Sequence, residues 1–171
     1  MFEEQTISYR RLFGRFATGV AVILAEHGGK VVGMTVNSLT SASLNPPLLL
    51  FCARIESQSG ESILRAGRFS ANILTAHQEA VARHFAARGA VNVEFECVRD
   101  EDFIWLARSN AVFRCEVEVV HPAGDHRIIL GRVLNMLGPE GCNQLLVYHE
   151  GHYAKLDPRT RNEIPTEIDL S

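Results

Sequence analysis

The hydrophobic positions of the chain come in short runs, and their spacing switches between that of helices and that of strands. Near the N-terminus, apolar side chains recur every three or four residues, which predicts an amphipathic helix over about residues 8–17. They are Tyr9, Leu12, Phe13 and Phe16. Runs rich in Val and Ile at 20–25 and 31–36 flank Gly28-Gly29, and two such runs across a glycine turn predict a β-hairpin.

Further strands and helices follow at short intervals. Residues 113–119 alternate between apolar and polar side chains, which is the pattern of a half-buried antiparallel strand. Thr75 and Gln78 have the spacing of a capping box at the start of a helix. The other predicted strands are 48–53, 69–74, 127–136 and 145–149, and the predicted helices are 60–67 and 76–87. Because strands outnumber helices and hairpins join most of them, the sequence predicts a mainly β fold, an antiparallel sheet or barrel with a few peripheral helices.

Length, composition and charge narrow the class of protein. With 171 residues, 46% of them hydrophobic and 22% charged, the chain 1–171 suits one domain that ends in a polar tail at 158–171. Its formal net charge of -3 disfavours a dedicated nucleic-acid binder. No apolar run approaches the roughly 18 residues of a membrane span, and the N-terminus lacks the apolar stretch of a secretory signal. We therefore expect a cytoplasmic protein that binds neither membranes nor nucleic acids.

Several familiar chemical motifs are missing from the sequence. The four cysteines lie far apart, so no CxxC pair exists, and we interpret them as reduced thiols. They are Cys52, Cys97, Cys115 and Cys142. Gly14 and Gly19 have the spacing of a phosphate-binding loop, but no Lys follows them and the segment has helical periodicity. His149 and His152 flank a glycine turn, so we expect exposed turn histidines there and no metal site.

A segment dense in hydroxyl and amide side chains links the predicted strands 31–36 and 48–53. Its polar residues are Thr35, Asn37, Ser38, Thr40, Ser41 and Ser43. A structural loop needs only one or two such residues, so the excess offers uncharged donors to a polar ligand. Phosphate and ribityl hydroxyl groups fit that description. On spacing alone, an ordinary Ser- and Thr-rich loop explains the segment equally well.

Two smaller polar groups have similar alternatives. Residues 57–59, Ser-Gln-Ser, precede the predicted helix 60–67, whose N-terminal dipole favours an anion. Simple helix capping is the other interpretation. Residues 124–126, Gly-Asp-His, occupy a hairpin turn, where an aspartate beside a histidine can orient or charge the imidazole. A solvent-exposed turn with an incidental histidine is the alternative.

Five motifs in a fixed order resemble the short-chain flavin reductase family. They are Leu12-Phe-Gly-Arg-Phe-Ala-Thr-Gly-Val20, Gly33-Met-Thr-Val-Asn-Ser38, Ser43-Leu-Asn-Pro-Pro-Leu48, Gly124-Asp-His126 with Gly131-Arg-Val133, and Tyr148-His-Glu-Gly-His-Tyr153. These reductases are FMN-binding split-barrel proteins that supply reduced flavin to two-component monooxygenases. The resemblance covers about residues 8–157, which would form the core of the domain.

The resemblance implies a fold, an assembly and a set of site residues. It implies an FMN-binding split β-barrel with a few peripheral helices, and a homodimer that holds the flavin near its interface. The implied flavin contacts are Thr35, Val36, Asn37, Ser38, Thr40, Ser41, Ser57, Ser59, Phe85 and Ala86. It also implies that His126 lies near the nicotinamide, and we expect Asp125 to fix the imidazole.

The function implied by this resemblance is reduction of FMN, or of FAD, by NADH or NADPH through hydride transfer. Reduced flavin would then diffuse to a partner monooxygenase. The cofactors carry that chemistry, which agrees with the absence of a catalytic triad or paired acids in the sequence. Two other functions remain open at this point: a flavin- or haem-binding split-barrel protein without reductase activity, and an FMN-dependent oxidoreductase that acts directly on an organic substrate.

Overall fold

The computed structural model describes residues 2–86, 93–139 and 144–156, and in this part the chain forms three α-helices and twelve strands. The helices are α1 (Phe2–Phe13), α2 (Gln58–Ala66) and α3 (Glu79–Ala86), and a 3₁₀ turn at Ala76–Gln78 leads into α3. The strands are β1 (Thr18–Gly19), β2 (Ala21–His27), β3 (Lys30–Val36), β4 (Thr40–Leu44), β5 (Pro47–Arg54), β6 (Arg68–Ile73), β7 (Cys97–Arg99), β8 (Ile104–Leu106), β9 (Ala111–Ala123), β10 (His126–Leu137), β11 (Leu146–His149) and β12 (His152–Lys155). Cys142 and the predicted tail at 158–171 lie outside the described residues.

A seven-stranded antiparallel sheet forms the body of the fold, in the order β3-β2-β6-β9-β10-β5-β4. Its two edge strands, β3 and β4, are consecutive in the chain and only residues 37–39 separate them. Three residues span at most about 10 Å, so the two edges must lie close together and the sheet must curl into a barrel. We call residues 37–39 the seam of the barrel. Backbone groups at a seam lack a strand partner, which leaves them available to a ligand.

Glycines make the tight turns that the sequence predicted. Gly28 (φ 59°) and Gly29 (φ 71°) join β2 to β3, and both lie in the left-handed region that a two-residue hairpin loop of this kind requires. Gly124 (φ 61°) opens the two-residue turn between β9 and β10, where Ala123 pairs with His126. The long β9–β10 ribbon therefore ends directly at the Asp125-His126 pair.

Two hydrophobic cores lie on opposite faces of the sheet. The barrel interior contains Ile23, Phe51, Phe69 and Ile129 with the α2 residue Ile63, all of them fully buried. The rings of Phe51 and Phe69 meet edge to face, with their centroids 5.3 Å apart. The second core lies between the outer face of the sheet and α3, β8 and β11. It contains Val20, Val22, Leu24, Leu74, Val81, Ala82, Ile104, Leu106 and Leu146.

Helix α2 is capped at both ends. The Oγ atom of Ser57 accepts a hydrogen bond from the N–H of Gly60 (3.0 Å), and Gly67 ends the helix in the left-handed conformation at φ 72°. The interpretation of Ser57 as a helix cap is therefore confirmed. Near α3, the side-chain Oε1 of Gln78 accepts from the N–H of Thr75 (3.0 Å), as the predicted capping box requires.

The sequence prediction is wrong at several boundaries. The N-terminal helix covers Phe2–Phe13 instead of 8–17, because the chain leaves the helix at Gly14. The segment predicted as a loop between β3 and β5 contains the strand β4, which pairs with β5. The predicted turn at 121–124 is shorter, because β9 continues to Ala123 and pairs with β10 up to that residue. None of the described helices is long and apolar enough to cross a bilayer.

Candidate functional site

A cavity of about 1120 Å³ opens beside the seam of the barrel. It lies among the end of β3, the seam, the outer face of β5, the start of α2, the end of α3 and the start of β10. Its described lining consists of Met34, Thr35, Val36, Asn37, Ser38, Cys52, Arg54, Glu56, Ser57, Gln58, Ser59, Phe85, Ala86 and His126. Four separate segments of the sequence, 34–38, 52–59, 85–86 and residue 126, therefore meet around one space large enough for a small molecule, since such sites usually enclose about 300–1,000 Å³.

The hydroxyl groups at the end of β3 and in the seam hold the protein together as well as facing the cavity. Thr35 donates its hydroxyl to the backbone oxygen of Ala82 in α3 (2.7 Å). The Oγ atom of Ser38 accepts from the N–H of Cys52 in β5 (2.9 Å). That bond leaves the hydroxyl proton of Ser38 free to donate. The predicted ligand-binding segment and the barrel seam are thus the same structure.

Thr40 and Ser41 lie just beyond the seam, on β4, and both are exposed. Thr40 pairs with Leu50 and Ser41 with Leu49 in the sheet. Neither residue belongs to the described lining of the cavity, so the structure brings them near the other predicted flavin contacts without placing them in the wall.

The start of α2 forms another wall of the cavity. Ser57 is the helix cap, and Gln58 and Ser59 follow it in the first turn. The hydroxyl of Ser59 makes no hydrogen bond with any other described residue, and the half-buried side chain lies in the cavity wall. The free N–H groups and the dipole at this end of α2 favour an anionic group in the adjoining space.

Asp125 and His126 form a hydrogen-bonded pair at the mouth of the cavity. The Nδ1 atom of His126 lies 2.7 Å from Oδ1 of Asp125, and because a carboxylate only accepts, Nδ1 carries the proton. The Nε2 atom is then left for a ligand. The hydrogen bond from His126 and the charge on its ring, with a smaller contribution from Arg54, hold the pKa of Asp125 below its ordinary value. His126 lines the cavity, whereas Asp125 is exposed behind it and is not part of the described lining.

Phe85 supplies an aromatic part of the cavity wall. Phe85 lines the cavity and is backed by Phe95, whose ring centroid is 5.1 Å away, and by His84 at 4.7 Å. Gly33 in β3 permits this arrangement, because a Cβ atom there would lie 2.8 Å from the Phe85 ring. An aromatic wall in the same cavity as hydroxyl and amide donors suits a planar ring system that carries polar edges and a polar tail.

Four lining residues were missed by the sequence prediction of the site. They are Met34, Cys52, Arg54 and Glu56, whereas Gln58 belongs to the predicted polar group 57–59. A usable signal existed for two of them, because Cys52 and Arg54 alternate along β5 with the buried Phe51 and Ala53, so they share the opposite face of the strand. Arg54 matters most chemically, since it adds a cation beside the start of α2.

The donor set of the cavity fits a flavin better than a metal ion. Among the described residues, no three His, Cys, Asp or Glu side chains come together in a group that could hold a metal. The cavity instead combines the Phe85 wall, suited to an isoalloxazine ring, with hydroxyl donors for a ribityl chain. The start of α2 with Arg54 suits a phosphate. These residues are of the kinds that FMN requires, and their cavity has room for a second ring.

Fold and cavity together define a barrel protein with a nucleotide-sized ligand site at its open seam. The model of the family "Flavin reductase like domain" matches residues 13–157. The chain belongs to this family, and the split-barrel fold predicted from the sequence is confirmed.

Relatives and a solved structure agree with this assignment. A Rhizobium meliloti protein named "Probable flavin reductase" is 44% identical over 129 residues, which are 72% of this chain and 41% of that longer protein. The reductase component of 4-hydroxyphenylacetate 3-monooxygenase from Thermus thermophilus is 35% identical over 87% of this chain and 95% of its own length. The FMN reductase (NADH) SmoA of Agrobacterium fabrum is 34% identical over 81% of this chain and 80% of its own. The structure of nitrilotriacetate monooxygenase component B from Mycobacterium thermoresistibile superposes with a TM-score of 0.92 at 30% identity, covering 100% of this chain and 97% of that one.

Proposed function

We propose that this protein is an NAD(P)H-dependent flavin reductase that binds FMN in the cavity at the seam. The observation that carries the proposal is the cavity itself, which joins an aromatic wall, hydroxyl donors and an aspartate-supported imidazole in one space. The names of the relatives support the same activity, because they are flavin reductases and reductase components of monooxygenases. FAD is the alternative flavin, and NADH or NADPH is the hydride donor.

Residues of the cavity wall would divide the work of holding the flavin. Phe85, Ala86, Met34 and Val36 present the surface against which a ring can pack, with water excluded on that side. Asn37 and the proton of the Ser38 hydroxyl are donors at the seam. A flavin gains negative charge at its N1–C2 edge on reduction, and such donors would stabilise that charge. Thr40 and Ser41 remain predicted flavin contacts from β4, at the edge of the wall.

The polar end of the cavity would hold the flavin phosphate. Ser59 and the free N–H groups of the first turn of α2 can donate to a phosphate oxygen, and Arg54 can supply a charge-assisted hydrogen bond. Ser57 keeps the helix start in place by capping it, and its own hydroxyl proton remains available to the ligand.

His126 would bind the nicotinamide, and Asp125 would act as its positioning residue. Hydride transfer is the chemistry of the two cofactors, and the protein supplies orientation and a water-poor site. With Nδ1 donating to Asp125, the Nε2 atom of His126 is left for the substrate. This arrangement favours an enzyme over a flavin- or haem-binding protein of the same fold.

The test measures binding and catalysis on the same variant. Wild-type protein should change FMN fluorescence saturably at micromolar concentration and should oxidise NADH or NADPH in the presence of FMN. His126→Ala should leave the FMN affinity within about twofold. It should lower kcat/KM for the nicotinamide about tenfold, which corresponds to roughly 1.4 kcal/mol of transition-state stabilisation.

Each other result points elsewhere. A wild-type protein that binds FMN but does not oxidise NADH or NADPH would be a non-catalytic flavin-binding protein. Weaker FMN binding by His126→Ala would make the histidine a flavin ligand instead of a nicotinamide ligand. If the wild-type protein bound neither FMN nor FAD saturably, the proposal would be refuted.

The proposed function also concerns the assembly, the location and the partner of the protein. We infer one functional domain with its core at about 8–157, a homodimer, a cytoplasmic location and a partner monooxygenase that receives reduced flavin. The monooxygenase components among the relatives support the partner, and the free thiols of Cys52, Cys97 and Cys115 agree with a reducing compartment. The exposed apolar side chains of β9 and β10 support the dimer, which would bury them.

A further inference from the structure

An ion pair joins the first turn of α2 to the start of β10, from the face opposite the cavity. The Nη1 atom of Arg127 lies 2.9 Å from Oε2 of Glu61. The other carboxylate oxygen, Oε1, accepts from Nε of Arg65 one turn later in α2 (3.1 Å). Glu61 thus pairs with two guanidinium groups, an exposed one on its own helix and a half-buried one on the strand that carries His126.

The strand geometry connects this pair to the catalytic side. Arg127 pairs with Ala53 across β5, and both are on the inward face with Phe51 and Ile129. His126 and Arg54 pair one position earlier, and both line the cavity on the outward face. Adjacent strand residues point to opposite faces, so holding the Arg127 side chain also fixes the backbone from which the imidazole projects.

The segment between β5 and α2 is tied to the same place. The N–H of Ile55 donates to the backbone oxygen of Asp125 (3.0 Å), and the N–H of Ser57 donates to the oxygen of Arg54 (3.0 Å). The start of α2 and the turn that carries His126 are therefore tied to each other through the segment 54–57. The Glu61–Arg127 pair is a further tie between α2 and β10.

We propose that Glu61 and Arg127 are positioning residues for His126, setting the distance between the imidazole and the donors at the start of α2. This inference rests on the proposed function, because it assigns a task to His126. Asp125 controls the rotation of the ring through its hydrogen bond to Nδ1, whereas Arg127 controls where the backbone holds the ring. The orientation of a bound nicotinamide against the flavin depends on both, since small displacements of a substrate-positioning group slow a reaction strongly.

Kinetics in two backgrounds test the inference. Arg127→Met and Glu61→Gln should each lower kcat/KM for NADH about 3- to 10-fold with FMN affinity within twofold, and Arg127→Lys should recover most of the loss. Arg65→Met is the matched control, because it removes the other guanidinium from Glu61 without touching β10, and it should behave as wild type. In the His126→Ala background, Arg127→Met should have no further effect, since the pair acts through the imidazole.

A second measurement does not depend on activity. In NMR spectra of the apoprotein, the ring signal of His126 is identified by its loss in His126→Ala. Arg127→Met and Glu61→Gln should shift or broaden that signal, and Arg65→Met should leave it in place. Unchanged kinetics and an unchanged ring signal in Arg127→Met would overturn the inference. An equal loss of activity with and without His126 would overturn it too, because the arginine would then act by another route. If His126→Ala left kcat/KM for the nicotinamide unchanged, the role given to the histidine under the proposed function would be refuted. The inference, which rests on that role, would then be refuted as well.

Discussion

At the scale of single residues, most of the hydroxyl groups that line the cavity also make hydrogen bonds within the protein. Thr35 and Ser38 face the cavity and also tie β3 to α3 and the seam to β5. Ser57 caps α2. Ser59 has no such structural bond with any described residue. A hydroxyl with a structural bond and one without it should therefore respond differently to removal, although both lie in the same wall.

Replacing Ser38 should lower stability, and replacing Ser59 should not. Ser38→Ala leaves the N–H of Cys52 without its acceptor, which should cost about 1–2 kcal/mol of unfolding free energy. Ser59→Ala should stay within about 0.5 kcal/mol of wild type. Both variants should weaken FMN binding. Urea unfolding and FMN titration measure the two effects, and equal stability of the two variants would contradict the distinction.

The cysteines should report occupancy of the cavity. Cys52 is half-buried in the cavity wall, Cys97 is half-buried outside it, and Cys115 is fully buried. Burial raises the pKa of the Cys115 thiol to about 12, so almost no reactive thiolate forms at pH 8. Iodoacetamide labelling followed by mass spectrometry should modify Cys52 in the apoprotein and spare Cys115. Saturating FMN should slow the labelling of Cys52 at least severalfold. The labelling rate of Cys97 should not change, and this thiol serves as the control.

At the scale of elements, α3 packs on β3 through a glycine. The ring of Phe85 lies over Gly33, where a Cβ atom would come within 2.6 Å of Leu24 and 2.8 Å of the Phe85 ring. This contact sets the position of α3 and therefore of the aromatic wall. The close approach of a helix to a strand is thus built into the motif that also carries Thr35 and Ser38.

Adding one methyl group at this contact should move the wall. Gly33→Ala forces the Phe85 ring outward, which should cost about 1–3 kcal/mol of stability and weaken FMN binding. Gly19→Ala is the matched control, because a Cβ atom there meets nothing within 4 Å, and it should change neither quantity. Thermal unfolding and FMN titration measure the stability and the FMN affinity of both variants. A Gly33→Ala protein with wild-type affinity would show that the wall does not contact flavin.

The elements that the sequence predicted well are those with a local signal. The β2–β3 hairpin follows from Gly28-Gly29 and the apolar runs on either side, and the seam residues follow from their density of hydroxyl groups. The β7–β8 hairpin had no such signal, since its strands have three residues each. Long-range bonds hold β8: the side chain of Asn72 accepts from the N–H of Leu106 (2.9 Å), and Ser70 donates to the oxygen of Ile104 (2.6 Å). Partners 34 residues away are invisible to periodicity.

At the scale of the whole molecule, apolar side chains remain exposed along the β9–β10 ribbon. They are Val119, Val120, Leu134, Met136 and Leu137. Apolar side chains near the end of α1 are exposed as well, and Phe16, just beyond the helix, is 67% accessible. Neighbouring exposed apolar groups such as those of the ribbon are typical of a surface that associates with another copy of the same chain.

A charge placed on this surface should weaken the proposed dimer. Met136 is 62% accessible in the single chain, and Met136→Glu would bury an unpaired carboxylate in each half of the interface. Sedimentation should find a dimer for the wild type and a shift toward the 19.0 kDa monomer for Met136→Glu. Lys30→Glu, at the β2–β3 turn, is the control and should stay dimeric. A wild-type protein that sediments only as a monomer at micromolar concentration would contradict the dimer.

The position of β2 between the two cores limits how the protein can unfold and evolve. Ala21, Ile23 and Ala25 fill the barrel interior, while Val22 and Leu24 fill the core beneath α3. Unfolding of either core would expose one face of β2 to water. The barrel and its outer layer should therefore unfold in a single cooperative event. Residues 21–25 of this strand are buried on both faces, so no substitution among them avoids a packed core. Sequence drift in this protein should therefore accumulate on the ribbon and in the turns long before it reaches residues 21–25.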